Sequence, residues 1–302
     1  MFQPSLKAEE GGTGHYLPGS ISSFVDGTPP DPAFVARFNG GYCNASLPGS
    51  LPLSGIRPAP LNVNAESFGG GLTLLWRPSF ELAPGLSYAM NATIPYVSLT
   101  VDANVGIGPV TVRRSSSVSS LGDIVLMPLM LNYAVTEDFH VDFRTGIYAP
   151  TGDYEVGRLA NSGKNFWTVE PTIGFLYFGK KNGIEASVYA GTDFNSENED
   201  THYKSGTQFH LDGTVAQHFH LLGGLTGVGV AGYWYTQVTG DSGSGATLGS
   251  FEGFSTGVGP VVSYACKLGG KDLVTEAKWL HDVETKKRLE GDYVWLRVVL
   301  KF

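Results

Sequence analysis

From residue 33 to the C-terminal Phe302, the chain reads as twelve segments in which polar and apolar residues alternate. A period of two is typical of β-strands that have one apolar face, and none of the segments shows a sustained helical period. We therefore predict an all-β chain whose twelve strands are 33–46, 67–81, 85–101, 121–135, 139–150, 166–178, 183–194, 207–219, 222–237, 251–266, 272–283 and 291–302.

The connections between these segments alternate in length. The short ones are 82–84, 136–138, 179–182, 220–221 and 267–271. The longer ones, rich in Ser, Gly and Asn, are 47–66, 102–120, 151–165, 195–206, 238–250 and 284–290. An even number of strands joined by alternating short turns and long loops is the pattern of bacterial outer-membrane barrels. We expect both termini on the side of the short turns, which is the periplasmic side.

The segment 166–178 indicates which face of the sheet meets lipid. One of its faces is apolar from Trp167 to Tyr177, with an aromatic residue near each end, whereas the charge lies on the other face. The last segment alternates in the same way as far as Phe302. Aromatic residues at both ends of an apolar row are typical of strands that cross a membrane. A soluble β-sandwich, the alternative, has shorter strands with charges outside, so we predict a transmembrane antiparallel 12-stranded β-barrel over 33–302.

Composition excludes several other classes of protein. Only 16% of the residues are charged, against about 25% in average soluble domains. The net charge of −8 argues against a nucleic-acid partner. No apolar run approaches the roughly 18 residues of a membrane-spanning helix. Cys43 and Cys266 are expected at opposite ends of the barrel, too far apart for a disulfide. Residues 1–10 show no apolar signal region, as in a mature chain.

Residues 1–32 precede the first strand and contain apolar side chains among many glycines and prolines. Such a stretch is too interrupted for a helix or strand, and too apolar for a solvated tail. A twelve-stranded barrel has a lumen wide enough for a polypeptide segment. We predict that 1–32 is an N-terminal segment occluding the lumen, with a solvated periplasmic leader as the alternative. The residues expected to fill the lumen are His15, Tyr16, Leu17, Pro18 and Phe24.

Residues that share the inward face by parity carry charges of both signs together with aromatic rings. A selectivity ring normally has one sign of charge, so the mixture indicates a network of ion pairs that holds the wall and anchors the N-terminal segment. The rings offer flat apolar surface to a hydrophobic solute. The predicted substrate path in the lumen consists of Tyr148, Tyr189, Tyr293, Trp295, Arg144 and Glu170.

Two prolines fall inside the third and fourth predicted strands, at Pro95 and Pro128. Proline donates no hydrogen bond to a ladder and normally lies at sheet edges or bulges, but a closed barrel has no edge. Loss of pairing around Pro95 and Pro128 would open the wall laterally between these strands. An ordinary β-bulge is the alternative.

Three other sequence patterns do not predict a nucleotide, metal or catalytic site. Gly227–Gly232 matches a nucleotide-binding glycine pattern but precedes no helix. His218 and His220 share a strand face but have no evident third metal ligand. His210 and Asp212 are expected as a hydrogen-bonded pair in the lumen wall, and no nucleophile signature is present. We therefore expect no metal, no cofactor and no enzymatic activity.

Four short motifs resemble a bacterial family of outer-membrane channels named for the meta-pathway of phenol degradation. They are Gly14–Gly19, Leu121–Ile124 leading to Pro128, Tyr148–Tyr154, and Asn165–Trp167. The resemblance spans residue 14 to Phe302 and implies a twelve-stranded barrel whose N-terminal segment occludes the lumen. It further implies uptake of hydrophobic molecules, including aromatics and long-chain lipids, with a lateral exit through the wall. It brings no catalytic residues with it.

These observations predict an outer-membrane channel for passive uptake of hydrophobic small molecules, aromatic or lipid-like, with lateral exit through the wall. A general hydrophilic diffusion porin is the main alternative, and an outer-membrane lipid-modifying enzyme is a second one. The expected partners are the hydrophobic small molecules themselves, outer-membrane lipid and lipopolysaccharide. We expect the chain to be a monomer in the bacterial outer membrane.

Overall fold

The computed structural model describes residues 14–51, 59–107, 110–246, 250 and 252–302. They form one 3₁₀ turn, Phe24–Asp26, and the strands β1 Ala33–Leu51, β2 Ala59–Arg77, β3 Glu81–Ala83, β4 Leu86–Ile107, β5 Val110–Leu121, β6 Ile124–Ala134, β7 Phe139–Ala149, β8 Thr168–Phe178, β9 Ile184–Asn195, β10 Gln208–Leu221, β11 Gly224–Gln237, β12 Phe254–Leu268, β13 Lys271–Lys286 and β14 Glu290–Lys301. The described residues contain no helix long and apolar enough to cross a membrane.

The sheet closes on itself as an antiparallel barrel. β1 pairs with β2 on one side and with β14 on the other, and every later barrel strand pairs with its neighbours in the ring. β5 and β6 share the fourth place in the ring, since β5 pairs with the second half of β4 and β6 with its first half. β3 forms only a short hairpin with β4. The predicted 12-stranded barrel is therefore confirmed.

Burial alternates along the strands as the sequence predicts. In β8, the inward-facing Thr168, Glu170 and Thr172 are 2% exposed or less, whereas the outward-facing Val169 and Ile173 are about 40% exposed. The charged side chains predicted to face inward in other strands are also buried, namely Asp142, Arg144, Glu185, Asp193, Asp212, Glu276, Lys278 and Arg297. The apolar face of the sheet is thus the outer face of the barrel.

Exposed aromatic side chains lie near both ends of the strands on this outer face. Those near the short turns, here called the turn end, include Phe34, Trp76, Tyr133, Phe219 and Phe302. Those near the long loops, the loop end, include Tyr42, Tyr96, Trp167, Phe194 and Trp279. Phe34 and Tyr42 are eight residues apart in β1, or about 26 Å of strand. With the tilt of about 40° that is usual for membrane barrels, this length spans about 20 Å of height, close to the apolar band of about 25 Å that such a barrel presents to lipid.

Two of the predicted long loops are wrong. In place of much of the loop 47–66, β1 and β2 continue as a paired hairpin beyond the aromatic belt at the loop end. In place of much of the loop 102–120, β4 and β5 do the same. Cross-strand hydroxyl pairs such as Ser98–Ser119, with oxygens 2.8 Å apart, accompany the second hairpin. Alternation continues along residues 61–66 of β2 and 97–107 of β4, and the predicted strands were too short there. Only β5 lacks a sustained alternation, because the polar run Arg113–Ser117 interrupts it. Likewise, the predicted loop 284–290 is largely paired strand.

Candidate functional site in the lumen

Residues 14–32, called here the lumen segment, lie against the inward faces of the strands. Tyr16 is 3% exposed, and its hydroxyl donates a hydrogen bond to Asp212 Oδ1 at 2.9 Å. Its ring stacks on the imidazole of His210, with centroids 4.1 Å apart. The segment is therefore held by side chains of the wall. Residues 1–13 of the predicted N-terminal segment lie outside the described residues.

The lumen segment turns at Gly19. This residue has a φ of 74°, which favours glycine, and an added Cβ would also collide with the side chain of Leu280. Both the backbone conformation and the lack of space therefore favour glycine here. The backbone N–H of Gly19 donates to Asp212 Oδ1 at 2.8 Å. Trp295 Nε1 donates to the carbonyl oxygen of Pro18 at 2.9 Å. Hydrogen bonds to its backbone and the close packing at Gly19 thus fix the path of the segment.

The carboxylate of Asp26 is the principal anchor of the lumen segment. Arg297 donates to its Oδ2 at 2.7 Å and Arg37 to its Oδ1 at 3.1 Å. The backbone N–H of Ser22 adds a hydrogen bond at 2.8 Å. Burial alone would raise the pKa of Asp26, but Arg297 and Arg37 outweigh burial and hold this pKa well below its usual range. The ionised carboxylate therefore ties the segment to β1 and β14.

Asp26 was not among the residues predicted to fill the lumen. One sequence signal for it exists, because Ser23 and Asp26 have the spacing of a capping box at the start of the 3₁₀ turn. That signal identifies a local turn only. The two arginines that bind Asp26 lie in the first and last strands, and no local pattern connects them to residue 26.

The residues of the predicted substrate path all face inward, and several of them contact the lumen segment. Tyr148 stacks on His15 with ring centroids 4.7 Å apart, and the hydroxyl of Tyr189 donates to the carbonyl oxygen of Ser23 at 3.2 Å. Glu170 accepts a hydrogen bond from Tyr148 at 2.7 Å. In this conformation, the surface predicted to meet a solute is largely occupied by the protein itself.

The two other path residues are also engaged. Arg144 forms an ion pair with Asp142 at 2.6 Å and donates to the carbonyl oxygen of Asp26 at 3.0 Å. Tyr293 packs edge-on against Tyr233, with ring centroids 6.2 Å apart. Arg144 thus pairs with a carboxylate of the wall and also holds the backbone of the lumen segment.

Leu17 and Phe24 of the lumen segment differ in their surroundings. Phe24 packs its ring against Phe178 and His218 at centroid distances of 5.3 and 5.2 Å, and its N–H donates to Glu185 at 2.8 Å. His218 also hydrogen-bonds Glu185 at 2.8 Å. Leu17, in contrast, is 53% exposed. It is the large apolar side chain of the segment that is free to contact a solute.

Asp123, between β5 and β6, joins the lumen segment to the barrel wall. Its Oδ2 is 2.9 Å from His15 Nε2 and accepts the N–H of Lys164 at 2.7 Å, while its Oδ1 accepts the N–H of Gly152 at 2.8 Å. One carboxylate thus contacts the lumen segment and both ends of the 150–167 segment between β7 and β8. The four motifs that carry the family resemblance meet at this point, a convergence that their positions in the sequence do not reveal.

At the loop end, part of the barrel wall is not formed by hydrogen-bonded strands. Among the described residues, β5 pairs with β4 along one edge and with no strand along the other, because β7 already ends at Ala149. The 150–167 segment covers this free edge. Ser162 Oγ donates to the carbonyl oxygen of Leu121 at 2.9 Å and lies 2.7 Å from Ser120 Oγ. At this position side-chain hydrogen bonds take the place of a backbone ladder.

Pro95 and Pro128, where a lateral opening is predicted, lie close to this region. The carbonyl oxygen of Pro95 accepts the N–H of Gly122 at 3.0 Å, and β4 pairs with β5 above this point and with β6 below it. Pro128 lies in a bulge of β6, where its carbonyl oxygen accepts the hydroxyl of Tyr88 at 2.7 Å. Strand pairing thus resumes on both sides of each proline, although the ladder skips Pro95 and shifts register beside Pro128. The lateral opening predicted at these prolines stays a prediction. The unpaired edge of β5 is on the other side of the fourth strand.

The contact between His15 and Asp123 predicts a dependence on pH. Burial lowers the pKa of His15 below 6.5, and the hydrogen bond to Asp123 offsets this only in part. A released His15 binds its proton more readily, so attachment of the lumen segment is strongest above about pH 6.5 and weakens as the pH falls. We expect the probability of an open channel in planar bilayers to rise several-fold from pH 7.5 to pH 5.5. The variant His15→Gln should lose most of this pH response, and an undiminished response would place its origin elsewhere.

A closed antiparallel barrel with a belted apolar exterior and a charged interior defines the chain as a transmembrane β-barrel of the outer-membrane type. The chain belongs to the family described as Putative MetA-pathway of phenol degradation, which matches residues 49–298. The resemblance predicted from the four motifs is thereby confirmed.

Comparison with solved structures supports the fold. The barrel is similar to the crystal structure of an outer membrane channel from Pseudomonas putida F1, with a TM-score of 0.65, 14% identity, and coverage of 95% of this chain and 100% of that chain. The β domain of the Bordetella autotransporter BrkA gives a TM-score of 0.46 at 12% identity, covering 90% of this chain and 100% of that one. No match is found among curated proteins.

Proposed function

We propose that this protein is an outer-membrane channel for passive uptake of hydrophobic small molecules, and that they leave sideways through the wall. The observation that carries the proposal is the free edge of β5. It begins at Leu121, which pairs with Tyr96 of the aromatic belt, so it starts where the apolar band ends. The 150–167 segment covering it is linked through Asp123 to His15 in the lumen. A displacement of His15 in the lumen can thus alter the position of the 150–167 segment in the wall.

The lateral path follows from the properties of the solute. A hydrophobic molecule that continued into periplasmic water would gain nothing, whereas transfer to lipid is favourable by about 25 cal/mol per Å² of its apolar surface. We place the opening at the edge of the apolar band, where the free edge of β5 begins beside Tyr96, because a hydrophobic molecule released there can enter the bilayer. We place the turn end on the periplasmic side and the loop end outside, with lipid and lipopolysaccharide around a monomeric barrel.

The lumen segment serves as the gate in this proposal. It occludes the lumen at rest, and a solute arriving from the loop end meets the exposed Leu17 next to His15. Displacement of His15 removes one of the three hydrogen-bond partners that position the Asp123 carboxylate, which also accepts the N–H groups of Lys164 and Gly152. The carboxylate is then free to shift, and the 150–167 segment can move with it away from the edge of β5. A hydrophilic porin is less well supported, because its lumen would need to be open to water.

Uptake in cells tests this function. We expect a strain that expresses the protein to take up aromatic, terpenoid or fatty compounds faster than a deletion strain, with no difference for small sugars. The control is a strain carrying an unrelated barrel at the same level. Faster uptake of sugars instead would favour the porin, and hydrolysis of lipid by the purified protein would favour an enzyme. Either result contradicts the proposal.

A further inference from the structure

We propose that Glu170, Asp193 and His210 bind a divalent transition-metal ion in the barrel wall. The three residues lie on the adjacent strands β8, β9 and β10 and face the lumen, each at 3% exposure or less. One ligand atom from each lies within 4.8 Å of the others. The inference is independent of the proposed transport function.

The carboxylate of Asp193 is the main observation. It is fully buried, and neither of its oxygens has a hydrogen-bond partner among the described residues. A buried carboxylate normally has a partner, because removing its charge from water without compensation is costly. The Nε2 atom of His210 also lacks a hydrogen-bond partner there. Two unsatisfied polar groups therefore lie within 4.8 Å of each other in the buried wall.

The imidazole of His210 has the orientation that a metal ligand requires. Asp212 Oδ2 is 3.0 Å from its Nδ1 and accepts that N–H, which leaves the lone pair on Nε2 free. A carboxylate behind a histidine in this way is typical of metal sites. Nε2 is 3.6 Å from Glu170 Oε1, too long for a hydrogen bond. Two ligands at about 2.1 Å from one tetrahedral ion are about 3.4 Å apart, so this spacing fits.

The charge balance also calls for a cation. Glu170, Asp193 and Asp212 form no ion pair with Lys or Arg in the part of the chain that the structure describes. His210 lies beside Glu170 and Asp212, and it carries no charge when its Nε2 keeps the lone pair that a metal would bind. Asp26, Asp142 and Glu276, in contrast, each pair with Lys or Arg. The buried Glu185 has only His218 as an ion-pair partner and Asp282 has none among the described residues, but both accept hydrogen bonds. Three carboxylates around one imidazole leave negative charge that a divalent ion neutralises.

The donor atoms indicate the class of metal. Two carboxylates and one imidazole suit Zn²⁺, Mn²⁺, Fe²⁺ or Co²⁺, whereas Mg²⁺ and Ca²⁺ prefer oxygen alone and Cu⁺ prefers sulfur. The hydroxyls of Tyr148 and Thr172 donate to Glu170 at 2.7 and 3.0 Å and fix its position. Tyr16 stacks on His210, so a bound ion would brace the wall next to the lumen segment.

Metal titration of the full-length protein in detergent, without a polyhistidine tag, tests the inference. After treatment with a chelator, we expect one Zn²⁺ or Co²⁺ per chain by calorimetry and, for Co²⁺, visible absorption bands of a protein-bound ion. Asp193→Asn and His210→Gln should each weaken binding by about 100-fold or more. His218→Gln is the matched control, because this buried histidine bonds Glu185 at a separate place in the wall. Mg²⁺ should not compete.

Gel mobility with and without heating shows whether each variant still forms the barrel, and either of the two ligand variants alone is sufficient for the test. Stoichiometric binding that is lost in a folded variant supports the site. Absence of binding by the wild type, or equal binding by Asp193→Asn and the wild type, overturns it. An infrared band of a protonated carboxyl group that disappears in metal-free Asp193→Asn, with no metal bound by the wild type, would show that a proton occupies the space instead.

Discussion

Asp26→Asn is expected to release the lumen segment and to convert a channel of low conductance into one of large, steady conductance. The substitution keeps the shape of the side chain but removes the charge that Arg297 and Arg37 share. Arg37 then loses its carboxylate partner, and Arg297 keeps only Glu276, at 3.2 Å. Breaking a buried ion pair on one side typically costs about 3–5 kcal/mol, enough to shift the equilibrium between attached and released segment by 10²-fold or more. Single-channel recording in planar bilayers measures this shift.

The control is Asp31→Asn, which makes the same change of charge in the same segment. Asp31 is exposed and lies 3.4 Å from Lys301, so this variant should keep the wild-type conductance. Limited proteolysis should show faster cleavage within residues 14–32 in Asp26→Asn only. A wild type that already conducts fully, or an Asp26→Asn variant that stays closed, would contradict occlusion by this segment.

Locking the 150–167 segment to β5 is expected to abolish uptake of hydrophobic solutes. Ser120 and Ser162 have hydroxyl oxygens 2.7 Å apart, so cysteines at both positions are close enough for a disulfide. The pair is introduced after Cys43 and Cys266 have been changed to Ser, since both are free thiols. Uptake by the oxidised pair should fall to the level of the deletion strain and return after reduction. The physical reason is that the free edge of β5 then cannot be uncovered.

A second pair, Ser98→Cys with Ser119→Cys, is the matched control. Their hydroxyl oxygens are 2.8 Å apart, but they belong to β4 and β5, which are already paired. This disulfide adds the same chemistry at a similar height and leaves the free edge unlocked. Uptake should be unchanged. Normal uptake through the oxidised Ser120–Ser162 pair would exclude the proposed exit.

The sequence predicts the barrel well because lipid and lumen impose opposite polarity on successive residues. Parity alone places Glu170, Arg144 and Asp193 inside. It fails for β5, which is Ser-rich and continues above the apolar band, so that no alternation marks it as a strand. The prolines Pro95 and Pro128 indicate missing backbone donors, and the predicted lateral opening is based on them. They do not indicate that the strand β7 ends at Ala149, which is what leaves the edge of β5 unpaired.

The candidate site depends on contacts that no local pattern encodes. Asp123 lies in the motif Leu121–Ile124, but its hydrogen-bond partners are His15, Gly152 and Lys164, which are distant in the sequence. Asp193 was expected in a balanced network of charges. Its lack of a partner depends on which residues the neighbouring strands place beside it, and that register follows from the closed barrel rather than from β9 alone.

The hairpins of β1–β2 and β4–β5 make the rim of the barrel uneven. β4 continues eleven residues past Tyr96, or about 36 Å of strand, while β7 ends close to the belt. Four of the twelve places in the ring, those of β1, β2, β4 and β5, therefore carry tall hairpins, while the wall at β7 is lower. We expect a solute to approach the lumen more easily from the side of β7, because fewer residues obstruct it there.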